Sequence, residues 1–83
     1  MDQSSLMGRQ IAAARALVGL SQAEVAARAN ISVPTLKRME ASEGPASGMA
    51  NNVAAVMHAL EASGVLFIEQ DCNGPGVRLK DRK

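Results

Sequence analysis

Aromatic side chains are almost missing from this chain of 83 residues, which has one Phe, Phe67, and neither Trp nor Tyr. Its core must therefore be assembled from Ala, Leu, Val, Ile and Met, and the supply of Ala and Met tilts the expectation towards helices. Cysteine is as scarce. The single Cys72 rules out an internal disulfide framework. It stands in a turn-like stretch with no His or Cys companion, so it makes a poor metal ligand, and such usage fits a reducing cytoplasm. Charge of one sign is missing too: 9 Lys and Arg against 8 Asp and Glu give a net +1. Total charge therefore gives no argument for a polyanion partner. No apolar run has the length of a membrane span. The opening MDQSSLMGRQ is not followed by the apolar segment of a secretory signal. Neither membrane insertion nor export is expected.

Hydrophobic residues nevertheless make up 47%. That predicts a globular chain, and its length suits one small domain over residues 1–83, near the lower limit for an independent core. The cations are clustered. Arg78, Lys80, Arg82 and Lys83 stand against Asp81 near the end, and Arg28, Lys37 and Arg38 form a second group. Either cluster can be a solvated face, or a local patch for phosphate.

Helix punctuation is dense. Ser4 or Ser5 can cap a first helix over residues 6–18, with Met7, Ile11, Ala14, Leu17 and Val18 recurring at helical spacing. Gly19 can end it in the left-handed conformation. Ser21-Gln22-Ala23-Glu24 is a capping box, in which the serine caps the helix and the glutamate reaches back to the serine amide. It opens a second helix over 22–29 whose inner face is Val25, Ala26 and Ala29. Asn30 is a good left-handed terminator. Ser32 then caps a third helix over 33–41, and Pro34 falls in its first turn, where a missing amide costs nothing. Leu36 and Met39 are expected inward, and Val33, Pro34, Lys37, Arg38 and Ala41 on the other side.

After the loop SEGPASG (42–48), a fourth helix is expected over 49–62, with Val53, Val56, Met57 and Leu60 inward and Gly64 as terminator. The remaining segment changes period. VLFIEQ, then DCNGPG, then VRLK, reads as a β-hairpin over 65–80. Val65 and Phe67 point to one face and Leu66 and Ile68 to the other. One face can cover the fourth helix, and the other calls for a second partner, because a lone hairpin is marginal in water. The four residues are thus expected to supply a dimer contact.

Two short helices joined by Asn30-Ile31-Ser32 have the spacing of a helix-turn-helix. The stretch GLSQAEVAARANISVPTLKRMEAS (19–42) resembles the Cro/CI-type (Xre-like) helix-turn-helix regulators of phages and bacteria, and with the flanking helices the resemblance spans residues 6–63. It implies a mainly α fold, a lambda-repressor-like bundle of about four helices, here closed by a hairpin where the family has a short fifth helix. It implies a transcriptional regulator that binds double-stranded DNA, and since one such helix reads only a few base pairs, the expectation is a homodimeric repressor on an operator of two-fold symmetry. By position it places Gln22 at a phosphate, and Ser32, Val33, Pro34 and Thr35 against bases and backbone. Arg38 takes a base-reading position, with Lys37 beside it, and Arg15 and Glu40 form an ion pair between the first and third helices. Glu43 departs from the family, since an acid in this loop disfavours phosphate contact.

His58 is expected to be an ordinary, partly exposed residue of the fourth helix, and no nucleophile–histidine pair, acid–base carboxylate pair or phosphate-binding glycine loop is present. No catalytic residue, metal or cofactor is expected. The modest charge, the acidic loop and the apolar hairpin leave one alternative open: a module of the same fold that sequesters a protein partner, as an antitoxin or antiactivator does.

Overall fold

The computed structural model describes residues 6–69 and 74–80. Its elements are α1 (Gly8–Val18), α2 (Gln22–Ala29), α3 (Val33–Ala41), α4 (Ala50–Ala62), β1 (Val65–Ile68) and β2 (Gly76–Leu79). It is the mainly α architecture that the sequence suggests, four helices followed by a two-stranded antiparallel hairpin.

The helix ends follow the local chemistry. Gly19 closes α1 at φ 71°, a left-handed conformation that costs glycine little, and Leu20 bonds back to the Arg15 carbonyl at 3.1 Å. Asn30 closes α2 in the same conformation at φ 59°. The Ser21–Glu24 capping box is formed in both directions, at 3.1 and 2.9 Å. Ser32 accepts the Thr35 amide at 3.2 Å, and Pro34 sits in the first turn of α3.

The start of α1 differs from expectation. Ser4 and Ser5 lie outside the described residues, and the helix begins at Gly8 with Met7 in the capping position. Leu6 and Met7 are held extended instead. Met7 pairs antiparallel with Pro45, the Ala46 amide donates to the Leu6 carbonyl at 2.8 Å, and the Gly8 amide donates to the Gly44 carbonyl at 3.1 Å. Residues 6–8 thus form a strap across the loop that follows α3. Gly8 allows the approach: a Cβ there would overlap the Met39 carbonyl oxygen and come within 2.9 Å of that of Ser42. α4 starts one residue later than expected, at Ala50.

Leu6, Ile11, Val25, Leu36, Met39 and Leu60 are among the fully buried side chains, and Val53, Val56 and Met57 of α4 join them. This is the aliphatic core that the composition requires. α2 packs on α4, and α1 on α3 and the hairpin.

The hairpin pairs Val65 with Leu79, Leu66 with Arg78, Phe67 with Val77 and Ile68 with Gly76. β1 is shorter than the sequence suggests, ending at Ile68, and β2 keeps four residues but begins and ends one residue earlier. Gln70 and the turn residues Asp71, Cys72 and Asn73 lie outside the described residues. Val65 and Phe67 are buried in the chain's own core. The expectation that they form a dimer contact is corrected accordingly, because their surface is already covered. Of the four hairpin residues, only Leu66, half-buried, and Ile68, 37% exposed, keep free area. Nor is that outer face wholly apolar, since Arg78 stands opposite Leu66.

Candidate nucleic-acid interface

The interface is built on α2, the turn Asn30–Ser32 and α3. At the turn, the Asn30 amide reaches the Ala27 carbonyl at 3.2 Å and the Ile31 amide that of Ala26 at 3.0 Å. These bonds satisfy the end of α2 and hold the chain for immediate re-entry into α3. Half-buried Ile31 packs on the core beneath the turn.

The inner side of α3 carries Leu36 and Met39, both fully buried. Glu40 is the polar anchor. Arg15 Nε donates to its Oε2 at 2.6 Å and Arg15 Nη2 to its Oε1 at 2.9 Å, a side-on, bidentate pair. The third guanidinium nitrogen donates to the Leu20 carbonyl at 3.1 Å. Gln22 Nε2 adds a further donor to Glu40 Oε1 at 3.1 Å. The bonds to Glu40 hold the Arg15 guanidinium still more firmly protonated than usual. One carboxylate, 8% exposed, thereby ties α3 to α1 and to the first residue of α2.

Gln22 occupies the position that the resemblance assigns to a phosphate. One of its amide hydrogens is committed to Glu40. The other hydrogen, and the backbone amides of Gln22 and Ala23, which precede both the Glu24 amide taken by Ser21 Oγ and the first intrahelical bond from Val25 to Ser21, remain available to an anion.

On the outer side of α3, Pro34, Lys37 and Arg38 are exposed. Ser32 Oγ and Thr35 Oγ1 lie 2.8 Å apart, and Arg38 Nη2 approaches Thr35 Oγ1 at 3.4 Å. Serine, threonine and arginine thus run along one edge of the helix. Val33 is a correction. Expected outward, it is half-buried and packs against the core. It lies three residues before Leu36 and so shares its face, which leaves Pro34 as the more open apolar contact. Arg28, grouped by sequence with Lys37 and Arg38, donates to Ser63 Oγ at 3.0 Å instead, at the end of α4.

The end of α3 is fastened by residues that the sequence did not mark. Ser42 Oγ and Ser47 Oγ both donate to the Arg38 carbonyl, at 3.1 and 3.2 Å, and the Ser47 amide donates to Ser42 Oγ at 3.0 Å. A second such residue is Gln10 on α1, a buried polar side chain that bonds to three backbone groups. Its one sequence signal is its position, a polar residue on the stripe of Met7 and Ala14.

Among the described residues, no group of three or more His, Cys, Asp or Glu side chains could hold a metal ion, and no helix is long and apolar enough to cross a membrane. Compared with known families, residues 6–67 match the model described as a helix-turn-helix domain. Among curated proteins, none matches the chain.

Proposed function

The chain belongs to the helix-turn-helix domain family, and from that premise we propose that it is a sequence-specific regulator of transcription that inserts α3 into the major groove of an operator. The observation that carries this reading is the division of α3 into two faces. Leu36, Met39 and Glu40 fix one face to the body of the protein, and Pro34, Lys37 and Arg38 are left on the other. A short helix held rigidly from behind, with cations in front, suits a groove about as wide as one helix. Arg38 is assigned the base contact, since a guanidinium can bond bidentately to a guanine edge. Lys37 and the free amides of α2 are assigned phosphates. Ser32 and Thr35 lie at the backbone edge, and Pro34 offers apolar contact to a thymine methyl.

One such helix reads only a few base pairs. A homodimer on a two-fold symmetric operator doubles the contacts and fixes the half-site spacing at about one turn of DNA. The outer face of the hairpin, Leu66 and Ile68, is the proposed contact, with Val65 and Phe67 holding it in place from inside. Repression then needs only occupancy of promoter DNA.

The test is a gel-shift of the purified chain on the DNA upstream of its own gene, titrated with salt and with scrambled competitor. A specific shift that weakens steeply with salt, through counterion release, is the expected result. Binding indifferent to both sequence and salt would overturn the reading and favour a protein partner.

A further inference from the structure

We propose that Gln10 is a positioning residue that transmits the placement of the hairpin to the base of the recognition helix. Gln10 is a glutamine buried to 5% exposure, and its amide is fully engaged with backbone. Nε2 donates to the Ile68 carbonyl at 3.1 Å and to the Gly76 carbonyl at 3.0 Å. Ile68 and Gly76 are the last paired residues of the hairpin before its turn. One NH₂ group therefore bridges both strands where they begin to separate. The oxygen of the same amide accepts the Met7 amide at 2.9 Å.

Met7 is in turn the centre of the strap. It pairs with Pro45, and its neighbours bond to Ala46 and Gly44. Gly8 sits against the Met39 and Ser42 carbonyls, closer than any side chain would allow. Ser42 and Ser47 then bond to the carbonyl of Arg38. A continuous run of hydrogen bonds and backbone contact thus leads from the mouth of the hairpin, through Gln10, to the residue assigned to base reading. A primary amide is the side chain that suits this place: it supplies two donors and an acceptor without a charge, and a buried group leaving any of them unmade is costly. Apolar side chains of the same size could fill the space but would leave two strand carbonyls without partners.

The consequence is that the outer face of the hairpin and the loop after α3 are not independent. Any contact that shifts Ile68 and Gly76 acts on α3 through Gln10, and DNA contact at α3 acts back on the hairpin, since such coupling is reciprocal. For its DNA consequence the inference rests on the function proposed above, but the coupling itself can be measured without DNA.

The experiment is amide hydrogen exchange by NMR on the full chain, comparing the wild type with Gln10→Glu and Gln10→Met. The glutamate keeps the acceptor for Met7 and loses both donors to the hairpin. With coupling, exchange rises by about tenfold or more, as expected for lost hydrogen bonds, at the Gly8 and Ala46 amides as well as in the hairpin. The Val25 and Ile31 amides stay as in the wild type. Faster exchange in the hairpin alone, with Gly8 and Ala46 unchanged, would overturn the proposal. So would a uniform rise at all amides, the mark of a merely stabilising residue. If the carboxylate prevents folding, Gln10→Met, which also drops the acceptor for Met7, is read one step further on, at the Ser47 amide bonded to Ser42 Oγ: faster exchange there supports the coupling, and a wild-type rate overturns it. A wild type that fails to bind DNA would remove the proposed function and leave this result standing.

Discussion

Arg15 grips Glu40 side-on, with 2.6 Å from Nε to Oε2 and 2.9 Å from Nη2 to Oε1. The two residues stand on the first and third helices, and Gln22 reaches the same carboxylate from the second. The pair is mostly buried, so removing one partner leaves a charge without compensation. Arg15→Ala is expected to cost about 3 kcal/mol, the lower end of the range for buried pairs because Arg15 retains some solvent. Replacing both by apolar residues of similar volume, Arg15→Met with Glu40→Leu, should recover most of that loss. Urea denaturation of Arg15→Ala, Glu40→Leu and the double variant checks this. A double variant no more stable than the single ones would show that the pair is not the cause.

Gly8 yields a sharper steric prediction. Gly8→Ala forces a methyl onto the Met39 carbonyl, which is backbone and cannot step aside. A loss of about 1–3 kcal/mol is expected. Gly44→Ala, across the strap, meets nothing within 4 Å and should stay within about 0.5 kcal/mol of the wild type. Thermal unfolding of the two variants, measured side by side, separates them, and equal losses would contradict the strap.

The hairpin faces should separate stability from association. Phe67 is buried at the core side of β1, so Phe67→Ala is expected to cost about 3–5 kcal/mol of stability. Ile68→Asp changes an exposed position and should leave the fold intact while weakening self-association. Sedimentation equilibrium and urea denaturation together read both effects. An Ile68→Asp chain that associates as the wild type does would exclude the outer face as the contact.

The capping box of α2 predicts a pH dependence. Bonds from the Ser21 amide and hydroxyl hold the Glu24 carboxyl below its ordinary value of 4.5. A carboxyl depressed in the folded state contributes stability above the unfolded value. That contribution is lost as pH falls from 4.5 through the lower folded value. Glu24→Gln should therefore be less stable than the wild type at neutral pH, and the difference should shrink on acidification below 4.5. Stability measured from pH 7 down to pH 3 tests the sign. A difference constant over that range would contradict it.

The sequence made legible whatever local chemistry decides. Gly19, the Ser21–Glu24 box, Asn30, Ser32 and Pro34 each specify a helix end through atoms within a few residues, and they place α2 and α3 to the residue. The long helix-turn-helix pattern gave the family. Contacts between distant residues were not legible. Gln10 meets Ile68 and Gly76 across 58 and 66 positions, and Gly8 meets Met39 only because the strap pairs with the loop that follows α3. Val33 is a different case. Its spacing from Leu36 was in the sequence, and the three-residue step already put it on the buried face. Two apolar hairpin faces suggest a partner for Val65 and Phe67, whereas an 83-residue chain needs such residues for its own core.

The most direct test of α3 as the reading element is selection of bound sequences from a random duplex pool, followed by titration of the selected site with the wild type and Arg38→Ala at several salt concentrations. Groove reading by α3 predicts a two-fold symmetric sequence, bound less tightly as salt rises. Arg38→Ala should lose about 1–3 kcal/mol and relax base choice at a single position in each half-site. An unenriched pool, or an Arg38→Ala variant with unchanged affinity and unchanged base choice, would contradict it.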